Sequence, residues 1–306
     1  MAIPPTPVPA PSPKRRLDFR DHRRELHNNV YVYAVVSRRS RGLSIGINLN
    51  ADKVCNFACP YCQVDRTTSA TQDRNVDITV LETELDDLLT RVADGSLWST
   101  APFDTAAPAL RRVNDVAFAG DGEPTSCPQF AEAVEVVGKL RDKHALHDLK
   151  VHLLTNATLL DRPRVVRGLD VLDALGGEIW AKLDAGTPAW FARVDGTQIP
   201  LRTVLRQITH AAQQRPIVLQ CLFCSLGEDA PDDLEVQAWA DHIGHILAAG
   251  GEIRQVQVTT IARSPADPTV GPLSQARLEQ IADAACVHGV DVQVFPGLAP
   301  APTEAP

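Results

Sequence analysis

Nowhere does the 306-residue chain carry an apolar run approaching the roughly 20 residues needed to cross a bilayer. A secretory leader is not expected either. The opening residues MAIPPTPVPAPSPKRR place prolines where the apolar stretch of a signal would stand, so the chain reads as cytoplasmic. Positive charge is not in excess: 30 Lys and Arg against 38 Asp and Glu give a net charge of −8 and a pI near 5.6. That balance argues against a large phosphate-binding surface. A disulfide framework is missing as well. The seven cysteines, at 55, 59, 62, 127, 221, 224 and 286, are odd in number and tightly clustered at first. In a reducing compartment such a cluster holds a metal or does chemistry.

What is present is a globular composition, 44% hydrophobic with a mean hydropathy of −0.10. The length suits one large barrel or two modest domains. Residues 1–17 are a proline-rich tail expected to be disordered, and so are 297–306, which end in LAPAPTEAP. Lys14, Arg15, Arg16, Arg20, Arg23, Arg24, Arg38, Arg39 and Arg41 form a basic stretch before the main pattern. It is either a contact for nucleic acid or another negatively charged partner, or a solvated face.

Residues 18–45 read as an N-terminal β extension, with VYVYAVV at 30–36 and LSIGINL at 43–49 flanking the turn signal SRRSRG. A helix follows from Thr79 to Asp94, with Thr79 and Glu82 at capping-box spacing and Leu81, Leu85, Leu88, Leu89 and Val92 on one stripe. Strands are expected at 113–119, 150–155, 178–183, 217–223, 255–261 and 290–295. Helices are expected at 130–141, 160–168, 200–214, 231–248 and 274–288. This alternation implies a parallel sheet with outer helices, about six units in 46–296, hence an α/β, partial (β/α)6 barrel rather than a closed eightfold one. A flat doubly wound sheet is the alternative. Polar residues gather where strands end, at Gly120 to Glu123, Asn156, Lys182 to Gly186 and Arg263, and ligands bind at that end of parallel α/β sheets.

The segment NADKVCNFACPYCQVDR carries Cys55-x3-Cys59-x2-Cys62. Three thiolates on one short loop can hold three corners of a cubane cluster and leave the fourth iron without a protein ligand. A structural zinc would want a fourth Cys or His at finger-like spacing; only His22 and His27 lie upstream, with no such pattern. Gly120-Asp121-Gly122-Glu123-Pro124-Thr125 follows a strand, where a carboxylate and exposed carbonyls suit an ammonium group and glycines permit close approach. Alone it is only a turn signal. Strand alternation puts Lys182 and Asp184 on one face, as ligands for a carboxylate and for hydroxyls, or as a structural ion pair.

These residues resemble the radical SAM superfamily, whose signature is C-x3-C-x-aromatic-C, with Tyr61 in the aromatic place. The resemblance runs from about Gly46 to Phe295. The NLNADKVCNFACPYCQVDR and GEPT segments look like the iron–sulfur oxidoreductase branch related to wyosine-type tRNA enzymes and glycyl-radical-enzyme activases. The resemblance implies a [4Fe–4S] cluster on Cys55, Cys59 and Cys62. It also implies S-adenosyl-L-methionine held near Tyr61, Gly120, Gly122, Glu123, Asn156, Lys182 and Asp184. By the same token, the reduced cluster cleaves S-adenosylmethionine to a radical that abstracts hydrogen from a substrate, fed by a one-electron reductant such as flavodoxin or ferredoxin. Substrates in view are tRNA or a nucleotide, somewhat favoured, and a peptide or protein, including a glycyl-radical enzyme. A non-catalytic iron–sulfur electron carrier is the reading from another class, which the GEPT loop and the Lys182/Asp184 strand oppose.

The remaining candidates are weaker. Cys221 and Cys224 face opposite ways on an apolar strand and read as buried hydrophobes. Cys127, Cys286 and the tryptophans Trp180, Trp190 and Trp239 read as packing residues, and Arg263 as either an anion ligand or a surface residue. No second cysteine cluster follows the barrel, so no auxiliary iron–sulfur centre is expected.

Overall fold

The computed structural model describes residues 26, 29–37, 42–66, 73–263, 265 and 267–297. All the basic residues of the stretch from Lys14 to Arg41, His22, His27, the turn expected at 38–41 and both expected tails apart from Gly297 lie outside the described residues. Strands β1 (Val32–Ser37) and β2 (Gly42–Ile47) pair antiparallel, from Val32↔Ile47 to Ser37↔Gly42. From β2 onward every neighbour in the main sheet is parallel: β3 (Val113–Phe118), β4 (Lys150–Thr155), β5 (Glu178–Lys182) and β6 (Ile217–Leu222), followed by β8 (Ile253–Thr259) and β10 (Val292–Phe295). The order β1-β2-β3-β4-β5-β6-β8-β10 is an eight-stranded sheet, and no β1–β10 pairing closes it among the described residues. The short strands β7 (Cys224–Leu226) and β9 (Val270–Pro272) form a separate antiparallel ribbon.

Helices α1 (Ile78–Ala93), α2 (Phe130–Lys143), α3 (Pro163–Ala174), α4 (Pro188–Val194), α5 (Leu201–Gln214), α6 (Asp233–Ala248) and α7 (Gln275–Cys286) fill the crossovers. Six strand–helix units and a last parallel strand give the expected open (β/α)6 architecture, with β1 as its N-terminal β extension. None of the described helices is long and apolar enough to cross a membrane.

Local details differ from the sequence expectations for physical reasons. The cap of α1 is Asp77, whose side chain accepts from the backbone N–H of Thr79 and Val80, so Thr79 lies inside the helix. Helix α3 starts later than expected because Pro163, lacking an N–H, sits in its first turn. The seven-residue α4 and the β7–β9 ribbon were not anticipated, each being too short to show a period. Cys221 and Cys224 end up on different strands, both buried.

Strand alternation sorts the sheet into two unlike faces. Ile45, Val116, Leu153, Ile179, Leu219 and Val256 point outward under the helices and are fully or almost fully buried. The inner face carries Ser44, Asp115, His152, Trp180, Lys182 and Gln220 and lines a cavity of about 410 Å³. A parallel sheet packed on both sides would be apolar on both; here the inner face is polar because it surrounds a cavity. The helix layer also fixes the strand ends. Gly186, just past β5, meets α6 so closely that an added Cβ would lie 2.2 Å from the Trp239 nitrogen and 2.4 Å from the Glu235 oxygen. Glu235 accepts hydrogen bonds from the N–H groups of Gly186 and Thr187, and the Trp239 indole donates to the Leu183 oxygen at 3.0 Å. Gly186→Ala is expected to lower the unfolding free energy by at least about 1–3 kcal/mol in denaturant titrations, since backbone rather than a movable side chain must give way.

Candidate active site

The cysteine segment leaves β2 and lies across the strand ends as a loop fastened at both sides. Asn56, between Cys55 and Phe57, donates to Thr158 Oγ1 at 2.7 Å and accepts from Asn156 Nδ2 at 2.6 Å. On the other side, the segment after α4 holds the loop: Ala58 N–H donates to the Asp195 carbonyl at 3.2 Å and Thr197 Oγ1 donates to the Asn56 carbonyl at 3.1 Å. All three thiols line the mouth of the cavity. Among the described residues no three His, Cys, Asp or Glu converge tightly enough to hold a single metal ion.

The surroundings of the sulfurs carry donors. The Phe57 N–H points at Cys55 Sγ at 3.4 Å, and Arg66 Nη2 lies 3.6 Å from Cys62 Sγ. Cys59 Sγ lies 3.7 Å from the Asp195 carbonyl oxygen. Burial pushes the Cys55 and Cys59 thiols up, the Phe57 N–H opposing it at Cys55 and the Lys182 ammonium at Cys59. Such thiols ionise readily only when a metal compensates the charge. Three free thiols on one loop, with an N–H and a guanidinium aimed at two of them, fit a cluster better than a packed core.

The GDGEPT loop follows β3. A Cβ on Gly120 would lie 2.2 Å from Asn48 Oδ1, and one on Gly122 2.3 Å from the Val54 oxygen. The close approach is therefore between this loop and the segment leading to the cysteines, not only room for a ligand. Glu123 is buried and its oxygens are engaged. Oε1 accepts from the Thr125 N–H, Thr125 Oγ1 and Thr155 Oγ1, and Oε2 accepts from the Asn156 N–H at 2.7 Å. Burial raises its pKa against the pull of these hydrogen bonds. Glu123 thus joins the ends of β3 and β4, with Oε2 the less occupied oxygen. Asn156 is equally committed: its Oδ1 accepts from Thr158 while its amide reaches Asn56.

Lys182 and Asp184 share a face as alternation requires, with Lys182 Nζ 2.9 Å from Asp184 Oδ2. A third member, Asp195, also contacts Lys182 Nζ, and both carboxylates are 1% exposed, which makes this a buried ion triad. Burial opposes the charge on Lys182, but Asp184 and the neighbouring thiols raise its pKa overall. The ammonium also sits 5.1 Å from the Phe57 ring and 5.2 Å from the Tyr61 ring. Tyr61 donates its hydroxyl to Asp184 Oδ2, and burial followed by the Asp184 charge raises its pKa well above the ordinary range. Asp184 Oδ1 accepts from the Leu222 N–H at 2.9 Å. Arg263 forms a reciprocal pair with Gln63, donating from Nε at 3.0 Å and accepting at its carbonyl at 3.1 Å, which ties the end of β8 to the cysteine loop.

Asn48, Asn56, Asp195 and Thr197 were missed by sequence reasoning. Asp195 and Thr197 follow a helix that no period announced; Asn48 and Asn56 stand beside recognised motifs, and that adjacency was the available signal. Trp180 is a correction of the packing expectation: it lines the cavity, stacked on His152, whereas Trp190 and Trp239 are buried. Burial pushes the Cys127 thiol up to about 11 and Cys224 up to about 12, consistent with packing.

No protein-family model matches the chain. Among curated proteins it is similar to a UPF0026 protein of Synechocystis sp., 30% identical over 165 residues that span 54% of this chain and 52% of the relative. It is also similar to a UPF0026 protein of Methanocaldococcus jannaschii, 27% identical over 162 residues, 50% of this chain and 43% of the relative. The chain thus spans about half the length of the curated relatives it matches. Among solved structures it is similar to a radical SAM methyltransferase from Sphaerobacter thermophilus, with a TM-score of 0.57 and 11% identity over 86% of this chain and 68% of that one. TYW1 with a lysine–pyruvate adduct bound gives a TM-score of 0.51 and 15% identity over 80% of this chain and 73% of that one. The fold is that of radical SAM enzymes.

Two measurements follow from the site as built. Asn156→Ala is expected to cost about 1–3 kcal/mol of stability, since it strands the buried Thr158 and frees Asn56, and to speed amide hydrogen exchange in the 55–62 loop. Alkylation at pH 8, read by mass spectrometry on metal-free protein, is expected to mark exposed Cys286 and spare buried Cys127, Cys221 and Cys224. Thiolate is the reacting form, so labelling of Cys127 rises only as the pH approaches about 11.

Proposed function

We propose that this protein is a radical SAM enzyme that holds a [4Fe–4S] cluster on Cys55, Cys59 and Cys62 and binds S-adenosyl-L-methionine at the iron left open. The observation that carries the reading is the position of the three thiols together at the strand-end mouth of one cavity, beside Glu123 and the Lys182 triad. When bound, the reduced cluster supplies the electron that cleaves S-adenosylmethionine, and the resulting radical chemistry abstracts hydrogen from a substrate. The chain's own residues do the rest. Gly120 and Gly122 offer backbone at the rim, and Glu123 Oε2 and the Asn156 region receive the amino end. Tyr61, Lys182 and Asp184 define the wall toward the carboxylate and ribose. The reciprocal Gln63–Arg263 pair lines the cavity and ties the cysteine loop to the segment after β8. A one-electron reductant such as flavodoxin or ferredoxin is the implied partner.

For the substrate, the basic stretch from Lys14 to Arg41 supports tRNA or a nucleotide. The acidic balance of the whole chain supports the second reading, a peptide or protein substrate. Salt-dependent affinity for tRNA separates them: a steep loss between low and moderate salt supports the first, and salt-insensitive or absent binding supports the second.

The enzyme reading is tested by anaerobic reconstitution, reduction and detection of 5′-deoxyadenosine. Wild-type protein is expected to form it. Cys55→Ala, Cys59→Ala and Cys62→Ala are each expected to lose iron and product together, while Cys286→Ala keeps both. An intact cluster with no 5′-deoxyadenosine would overturn the enzyme reading in favour of an electron carrier.

A further inference from the structure

The cavity continues below the cysteine loop, down the inner face of the sheet. Its floor is formed by Ser44 on β2 and Asp115 on β3, which are register partners. Asp115 precedes Gly120 by five residues, roughly 16 Å along an extended strand, so the floor is separate from the GDGEPT rim. Asp115 is only 4% exposed. Among the described residues its carboxylate has one side-chain partner, the Ser44 hydroxyl, which donates to Oδ1.

The other carboxylates of the inner face are compensated. Glu178 lies 2.6 Å from Arg254 and 3.4 Å from His152 Nδ1, and Asp184 lies 2.9 Å from Lys182. No Lys or Arg among the described residues forms an ion pair with Asp115. A buried carboxylate with one neutral donor is costly unless a ligand brings positive charge or further donors. The walls above it suit such a ligand. Trp180, its ring 4.6 Å from the His152 ring, stands on β5, and Tyr33, whose hydroxyl donates to the Ala119 oxygen at 3.0 Å, stands on β1. Aromatic faces attract cations and pack against alkyl stems. Gly46 and Ala117 line the cavity between them and take up little space.

We propose that the floor of the barrel is a subsite for a cationic nitrogen group of the substrate, an aliphatic ammonium or a guanidinium. The cation sits against Asp115 and Ser44, and its alkyl stem rises between Tyr33 and Trp180 toward the cysteine end. The proposal deepens the enzyme reading given above and rests on it for the direction in which the substrate points. It also favours an amine-bearing substrate over a neutral nucleobase.

Binding to the full chain, with and without the reconstituted cluster, tests the subsite. The probes are butylamine, agmatine and N-acetyl-lysine amide, with 1-butanol as the neutral control, followed by ligand-observed NMR. The cations are expected to bind and 1-butanol not. Agmatine and N-acetyl-lysine amide separate a free small amine from a peptide side chain, and preference for either supports the proposal. Asp115→Asn is expected to weaken cation binding at least about tenfold, the worth of one charged hydrogen bond. Trp180→Leu is expected to weaken it too, which keeps the test alive if Asp115→Asn does not fold. Equal binding of butylamine and 1-butanol, no cation binding at all, or cation binding unchanged in both variants would overturn the proposal. Cation binding intact without 5′-deoxyadenosine formation would instead overturn the cofactor reading alone.

Discussion

The site depends on one buried charge. Lys182 holds its ammonium between Asp184 and Asp195 and against the rings of Phe57 and Tyr61. These groups come from β5, from the segment after α4 and from the cysteine loop, so a single cation pins three parts of the chain at the strand ends. A buried charge deprived of a partner costs about 3–5 kcal/mol, which makes the arrangement hard to deform. The cysteine loop is thereby held over the cavity rather than left to wander.

A second hub works from the other side. Glu123 joins β3 to β4 through hydrogen bonds from Thr125, Thr155 and Asn156, and Asn156 passes the connection to Asn56 in the cysteine loop. Glu123, Thr125, Thr155 and Asn156 are buried and hydrogen-bonded, which is the condition under which a polar network specifies one arrangement instead of destabilising it, and Asn56 is its exposed end. The result is a loop with cysteines fixed from two directions, and sulfurs that remain at the cavity mouth.

Much of this was legible from composition and pattern. The alternation of strands and helices gave the open (β/α)6 sheet, because amphipathic helices such as α1 and α5 are long enough to show their period. The motif at 55–62, the GDGEPT loop and the Lys182/Asp184 pair lie together, as their shared position at strand ends implied. What escaped was short or non-local. Helix α4 has seven residues, so Asp195 beyond it had no periodic signal, yet it completes the ion triad. The cap of α1 went to Asp77 because a side-chain oxygen just before the helix outcompetes one within it. The polar inner face was also hidden: Asp115 and His152 look like ordinary members of alternating strands until the sheet curves and brings them around one cavity. Glycine at 122 has a reason invisible in one dimension: the Val54 carbonyl is 68 residues earlier in the chain but adjacent in the site.

As proposed, Cys55, Cys59 and Cys62 would leave one iron open to S-adenosylmethionine. Electron paramagnetic resonance of the reduced, reconstituted protein tests it most directly, recorded with and without S-adenosylmethionine. The spectrum is expected to shift on addition of S-adenosylmethionine, which would bind at the open iron. An intact reduced cluster whose spectrum is unchanged at saturating S-adenosylmethionine would contradict it.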